Sequence, residues 1–390
     1  MTLFFGHTAS RNTAIVLTGF ILVALGGFFD QPTAHAKDAP AVPREPRTID
    51  LAICLDTSGS MSGLIEAAKQ KLWAIVNDLA LVEPTPRLRV ALLTDGNNDH
   101  DPENGWVRVD SPLTDDLDQI SKKLFALTTN GGTEYVGRVL QFSGQLDWHP
   151  SDDAFKLVVV AGNESADQDQ EVPFRQMCRS LIGNGIMINS IYCGPAADSI
   201  APGWREVARL ADGQFASIDH NHGTIVVETP FDEQLATLST ALNATYLPIG
   251  ARGASGLANQ SAQDRNAESL NSAAAATRAL TKAQGLYHCS WDLVDACRAG
   301  EIKLEEVSIA DLPEPMRQMT PAQRKSYIDD QAGKRAQIQK QIAALTVKRQ
   351  SFVQAEMKKK AVDDSKGFDS VIRRAVRQQA EAKGFEFNDG

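Results

Sequence analysis

The chain is short of cysteine, of long apolar runs and of the loops that mark chemistry on phosphates or acyl groups. Five cysteines in 390 residues, an odd number, cannot all pair within one chain, so the fold is not expected to depend on disulfides. Cys54 lies in an apolar run and reads as a small buried hydrophobe. Cys178 is expected mid-helix and Cys193 at the far end of the next strand, which keeps them apart. Cys289 and Cys297 sit about 12 Å apart on a continuous helix and can bridge only if that segment turns. No Walker-type phosphate loop, nucleophile elbow or poised general base stands out, so the chain is not expected to be an enzyme; a metal-dependent hydrolase is the weakest reading kept.

One apolar run alone approaches membrane-spanning length, Thr13 to Phe29. Arg11 precedes it, and Thr33-Ala34-His35-Ala36 supplies the small-x-small pattern of a signal-peptidase site. Residues 1–36 are therefore expected to be a secretory signal, cleaved before Lys37, leaving a periplasmic or secreted protein. An uncleaved membrane anchor is the other reading of the run.

Charge is lopsided. The formal net charge is −10, yet Pro321 to Gly390 carries 15 Lys or Arg against 9 Asp or Glu, a net of +6 that leaves −16 for the rest. The acidic body argues against a nucleic-acid partner. The basic tail reads as a solvated helix, or as a segment that touches an anionic surface or the acidic body of another copy.

What is present centres on Ile49 to Gly63, IDLAICLDTSGSMSG. Its first half has the length and apolar content of a buried strand, and Leu64 to Leu81 follows with helical periodicity. The polar turn between them lies at the carboxyl end of a strand, where open α/β sheets bind ligands. Asp56, Ser58 and Ser60 alternate, so one carboxylate and two hydroxyls can face a common point. Such hard oxygen donors suit Mg²⁺ or Mn²⁺. A helix N-cap made by Ser60 or Ser62 uses the same residues without metal.

Further along, Gly131-Gly132-Thr133-Glu134 places another hydroxyl at a glycine-rich turn opening a helix. With Asp56-Thr57-Ser58-Gly59-Ser60, this pair of turns resembles the von Willebrand factor type A (VWA) family over roughly residues 46–245. The resemblance implies a doubly wound, mostly parallel α/β sheet of Rossmann-like type. It also implies a metal-ion-dependent adhesion site, with Ser58, Ser60 and Thr133 as direct ligands and Asp56 acting largely through water. The family's distant Asp should follow the strand Phe155 to Ala161, but this chain has Asn163 there. An amide oxygen can accept from a metal-bound water yet brings no charge, so a cation site of reduced affinity is expected unless Glu164 or Asp167 compensates. Thr94-Asp95-Gly96 arrives too early in the chain to be that Asp. Asp95, Glu134 and Glu164 are expected on the ligand-binding rim, together with the loop Asn97 to Asp101.

The resemblance implies a metal-dependent protein-binding role in adhesion or scaffolding, the cation being closed by an exposed Asp or Glu of an extracytoplasmic partner. The alternative is a metal-free structural envelope protein acting through its C-terminal helices.

The chain is expected to divide into the signal, a proline-rich linker (37–47), the VWA domain (48–245), a flexible linker (246–282) marked by Gly250, Gly253 and Gly256, and a helical region (283–390). Within the last, Gln323 to Val362 reads as a long helix whose heptad positions Ile328, Ile338, Ile342, Leu345 and Phe352 are interrupted by Gln331, Arg335 and Arg349. A coiled coil used in self-association, or a hairpin with Phe368 to Ala382, are both open. His220 and His222 have a spacing that can seat a metal on an extended loop, but lack a third ligand.

Overall fold

Residues 47–218, 226–359 and 368–387 are described by a computed structural model. The signal, nearly all of the proline-rich linker, and the pair His220 and His222 lie outside them.

Nearly continuous apolar runs on strands that alternate with helices require a sheet covered on both faces. That sheet is built from β1 (Thr48–Asp56), α1 (Ser62–Leu79), the short β2 (Val82–Glu83), β3 (Arg87–Asp95), β4 (Arg108–Thr114), α2 (Leu117–Phe125), α3 (Val136–Gly144), β5 (Phe155–Gly162), α4 (Phe174–Gly183), β6 (Ile186–Tyr192), α5 (Ala201–Leu210) and β7 (Phe215–Ser217). The strand order is β4-β3-β1-β5-β6-β7. All neighbours pair in parallel except β4, which runs antiparallel at the edge. Leu51, Leu55 and Val159 enter one core with α1 and α2. Ala52, Cys54, Val158 and Val160 enter the other with α3, α4 and α5.

β4 begins only after Trp106 and Val107. Trp106 takes a positive φ of 55°, and its N–H closes the preceding loop onto the Asp101 carbonyl at 3.1 Å. Pro112 is tolerated in β4 because an edge strand has one unpaired side.

After α6 (Asp232–Asn243), the stretch 246–282 is not a flexible joint. It forms α7 (Gly250–Leu270) and α8 (Ser272–Ala283), separated at Asn271, whose side chain caps the Ala274 N–H. Glycine here serves contact: a Cβ on Gly256 would lie 2.5 Å from the Trp291 ring. The remaining elements are α9 (Leu293–Arg298), α10 (Pro321–Lys359), α11 (Phe368–Ala382) and β8 (Glu386–Phe387).

The hairpin between α10 and α11, one of the two arrangements left open, does not form. α10 packs on α6, α8 and α9, whereas α11 lies on α1, and β8 pairs antiparallel with β2. The residues that spoil a heptad seam explain why. Arg335 reaches Asp292 and Asp295, and Arg349 reaches Asp232, so the basic tail meets acids of its own chain. Ile328, Ile342 and Leu345 are buried within the same molecule, which removes them from any surface for self-association. All five cysteines are free; Cys289 precedes α9 rather than sharing a helix with Cys297. Among the described residues, no helix is long and apolar enough to cross a membrane.

Candidate metal centre

Parallel pairing sets Asp56 beside Asp95 at the carboxyl ends of β1 and β3. Beyond that edge β1 turns sharply, and its backbone is tied to neighbouring loops. Thr57 donates to the Asp95 carbonyl from its N–H at 2.8 Å and from its hydroxyl at 2.9 Å. The Gly59 N–H donates to Gly131 O at 3.0 Å, and the Asn130 N–H to Thr57 O at 3.0 Å. Thr133 bridges to Gly96 through the main chain. The two turns singled out in the sequence thus meet, although the Thr133 hydroxyl makes no hydrogen bond to Ser58 or Ser60.

Within the turn, Asp56 Oδ1 accepts from the Ser58 N–H at 2.7 Å, which holds its carboxylate inward. The Ser58 and Ser60 hydroxyls are 3.2 Å apart. Asn163 Nδ2 donates to Ser60 Oγ at 3.0 Å, which sets the Asn163 side chain beside the turn. Asp56 and Ser58 are buried, Ser60 is exposed and Asn163 half-buried. A strand order with the first three long strands reversed about β1, an antiparallel edge strand, and an Asp-x-Ser-x-Ser turn meeting a Gly-Thr loop at the switch point identify the architecture. The fold is that of a von Willebrand factor type A domain.

No family model and no curated protein matches the chain. Among solved structures, it is similar to a VWA protein of Catenulispora acidiphila, at 22% identity over 45% of this chain and 40% of that one, with a TM-score of 0.36. It is also similar to the SpRpn10 VWA domain, at 19% identity over 46% of this chain and 98% of that domain, TM-score 0.35. A mussel byssus protein, proximal thread matrix protein 1 with a zinc-occupied metal site, matches at 16% identity over 45% of this chain and 43% of its own, TM-score 0.35.

Three residues expected on the rim of the VWA site behave differently from one another. Glu164 is exposed, its carbonyl accepting from Trp204 Nε1 at 2.8 Å. Asp95 is buried, its carbonyl spent on Thr57. Glu134 is not rim at all: only 5% exposed, it points inward beside Asp56. In the loop after β3, Asp99 and Asp101 are exposed, whereas Asn97 and His100 are buried and bonded. Asn97 bonds to Thr128 O at 2.8 Å and to the Asp99 N–H at 3.0 Å, and His100 Nδ1 lies 3.0 Å from Trp106 O. The inward turn of Glu134 had no sequence signal, since its neighbours Thr133 and Tyr135 would suit a rim equally well.

Asp56 Oδ2, Glu134 Oε2 and Asn163 Oδ1 are buried without a hydrogen-bond partner. Buried polar atoms are nearly always satisfied, and these orphans are all acceptors, which is what a cation or its water ligands would use. They line a small cavity of about 10 Å³, about one water in size. The donors, carboxylate, hydroxyl and amide oxygen, fit Mg²⁺ or Mn²⁺. Among the described residues, no three or more His, Cys, Asp or Glu side chains form a metal-binding group, so a cation would depend on the hydroxyls.

Burial also raises the proton affinity of the acids here. Burial, reinforced by the Asp56 charge, pushes Glu134 up to about 8. Burial likewise raises Asp56 to about 6, against the opposing pull of Ser58, and burial followed by Asp56 and Glu134 raises Asp95 well above the carboxylate range. A raised folded-state pKa means that the folded protein holds protons the unfolded chain releases, so stability falls as pH rises. For Glu134 the loss runs from its ordinary value near 4.5 to about 8. In EDTA, melting temperatures across that window should fall more steeply for the unaltered protein than for Glu134→Gln; parallel slopes would remove Glu134 from the account.

Proposed function

We propose that this VWA domain is a metal-dependent protein-binding module that takes a divalent cation at Asp56, Ser58, Ser60 and Thr133, with Asn163 acting through water. The observation that carries the reading is the convergence of both turns around buried, unpartnered acceptor oxygens. A bound cation supplies positive charge with an open coordination position, and an Asp or Glu of a partner protein closes it. An acidic chain would otherwise repel such a side chain. Ser60 is exposed, which leaves the cation's outer side accessible. The role is recognition in adhesion or scaffolding, without turnover, and in the sequence reading it operates outside the cytoplasm.

One observation favours the metal-free alternative. Asn163 donates to Ser60, which lies 3.2 Å from Ser58, so the turn is internally bonded as it stands. Titration calorimetry with Mn²⁺ separates the two readings. The unaltered protein should bind about one equivalent and Asp56→Ala none; equal heats from both would leave a capped turn. Capture of an acidic partner should then be lost in EDTA, and capture that survives chelation would count against the role of the metal.

A further inference from the structure

Glu134 poses a problem that the adhesion-site reading leaves open. A glutamate so deeply placed is rare unless paired, and no Lys or Arg lines its cavity. Its Oε2 has no partner, and neither has Asp56 Oδ2. Gly96 shows that the two side chains converge: a Cβ built there would lie 2.9 Å from both Asp56 Oδ1 and Glu134 Cγ, and 3.3 Å from the Ser58 N–H nitrogen. With φ at +78°, Gly96 leaves open the space that both acids border. The backbone of Glu134 is held separately, its N–H donating to Gln168 Oε1 at 3.2 Å. Nothing in that support explains why the carboxylate turns inward.

The acids expected to make up for Asn163 are not free to do so. Asp167 is ion-paired with Arg175, and Glu164, although it lines the cavity, is exposed and bonded to Gln168 at 3.4 Å, whereas Glu134 is buried. We propose that Glu134 supplies the negative charge withheld by Asn163, so that the divalent cation is held by two carboxylates from adjacent turns, Asp56 and Glu134, together with the Ser58 and Ser60 hydroxyls. This rests on the reading that the turn takes a divalent cation. Two buried like charges without a counter-ion are unfavourable, and a small divalent cation between them removes that cost while its preference for oxygen is met. The site is then rebuilt inward: the charge usual after β5 comes from the loop before α3.

The test uses the full chain, Mn²⁺ as the probe, and calorimetry checked by electron paramagnetic resonance of free Mn²⁺. Glu134→Gln should weaken binding at least tenfold with an unchanged circular-dichroism spectrum. Adding Asn163→Asp to that variant should recover most of the loss, which a purely structural role for Glu134 would not allow. Should Glu134→Gln not fold, Glu134→Asp keeps the charge but withdraws it by one methylene, and should weaken binding as well. Equal affinity in Glu134→Gln and the unaltered protein, with Asp56→Ala inactive, overturns this proposal and leaves the adhesion site standing. Loss that Asn163→Asp fails to recover also overturns it. Absence of Mn²⁺ binding in the unaltered protein overturns both.

Discussion

Ending the chain at Gly367 is expected to abolish cooperative unfolding, even though the whole VWA sheet and its turn are retained. The segment removed carries Ile372, Val376, Ala380 and Phe385, all buried, and it covers the face of β1 and β5 that holds Leu51 and Val159. Phe385 sits 6.3 Å from Phe155, ring centre to ring centre. Gln379 exchanges two hydrogen bonds with Asn189 of β6, at 2.8 and 2.9 Å. At the start of the sheet, Arg47 donates to the carbonyls of Lys383 and Gly384 at 2.7 and 2.9 Å. Burying an Ile, Val or Phe is worth roughly 1.5–3 kcal/mol each, so three of them approach the roughly 5–15 kcal/mol total of a folded domain. Urea unfolding followed by circular dichroism should show a broad, low-amplitude change in the truncated chain. A sharp transition with a urea midpoint close to that of the full-length chain would show that α11 and β8 are an appendage.

The second large effect is at Arg335. Its guanidinium is 3% exposed and bonds to Asp292 at 2.8 Å and Asp295 at 2.6 Å. It also donates to the Thr245 hydroxyl and carbonyl at 3.1 and 2.9 Å, and stacks 4.1 Å over Tyr246. Asp292 is fully buried and also caps α9 by accepting from the Asp295 N–H at 3.0 Å. Arg335→Ala leaves that carboxylate without its cation, at an expected cost of about 3–5 kcal/mol. Arg335→Met restores volume but not charge, and should recover little. The exposed Lys340→Ala on the same helix should change stability by less than about 0.5 kcal/mol. Denaturation midpoints decide the matter: a loss at Arg335→Ala below 1 kcal/mol would mean that Asp292 is solvated or otherwise paired.

Both effects lie in the part of the chain that sequence patterns described least well. Short, nearly continuous apolar runs were enough to place β1, β5 and β6, because a strand buried on both faces must be mostly apolar. The Asp56 turn, the Thr133 loop and the Asn163 departure could be read in the same way, since each follows a strand end at the sheet's carboxyl edge. Gly250 to Gly256 misled because glycine reads as a joint in sequence, whereas here it admits Trp291 against the α7 backbone. Arg335 and Arg349 looked like breaks in a seam, yet they are the residues that join α10 to the body. A charge in a helix carries no local mark of whether water or a distant acid awaits it.

The sequence by itself determined the VWA sheet and the polar turns at its edge, because strand periodicity and turn chemistry are local and need no knowledge of what packs above them. Only the tertiary structure decided that Glu134 faces inward, that α11 closes the face of β1 and β5, and that Arg335 and Arg349 of the basic tail pair with acids of the same chain. Each of those outcomes depends on contacts between segments far apart in the chain, and no local pattern encodes which distant group will fill a given space or neutralise a given charge.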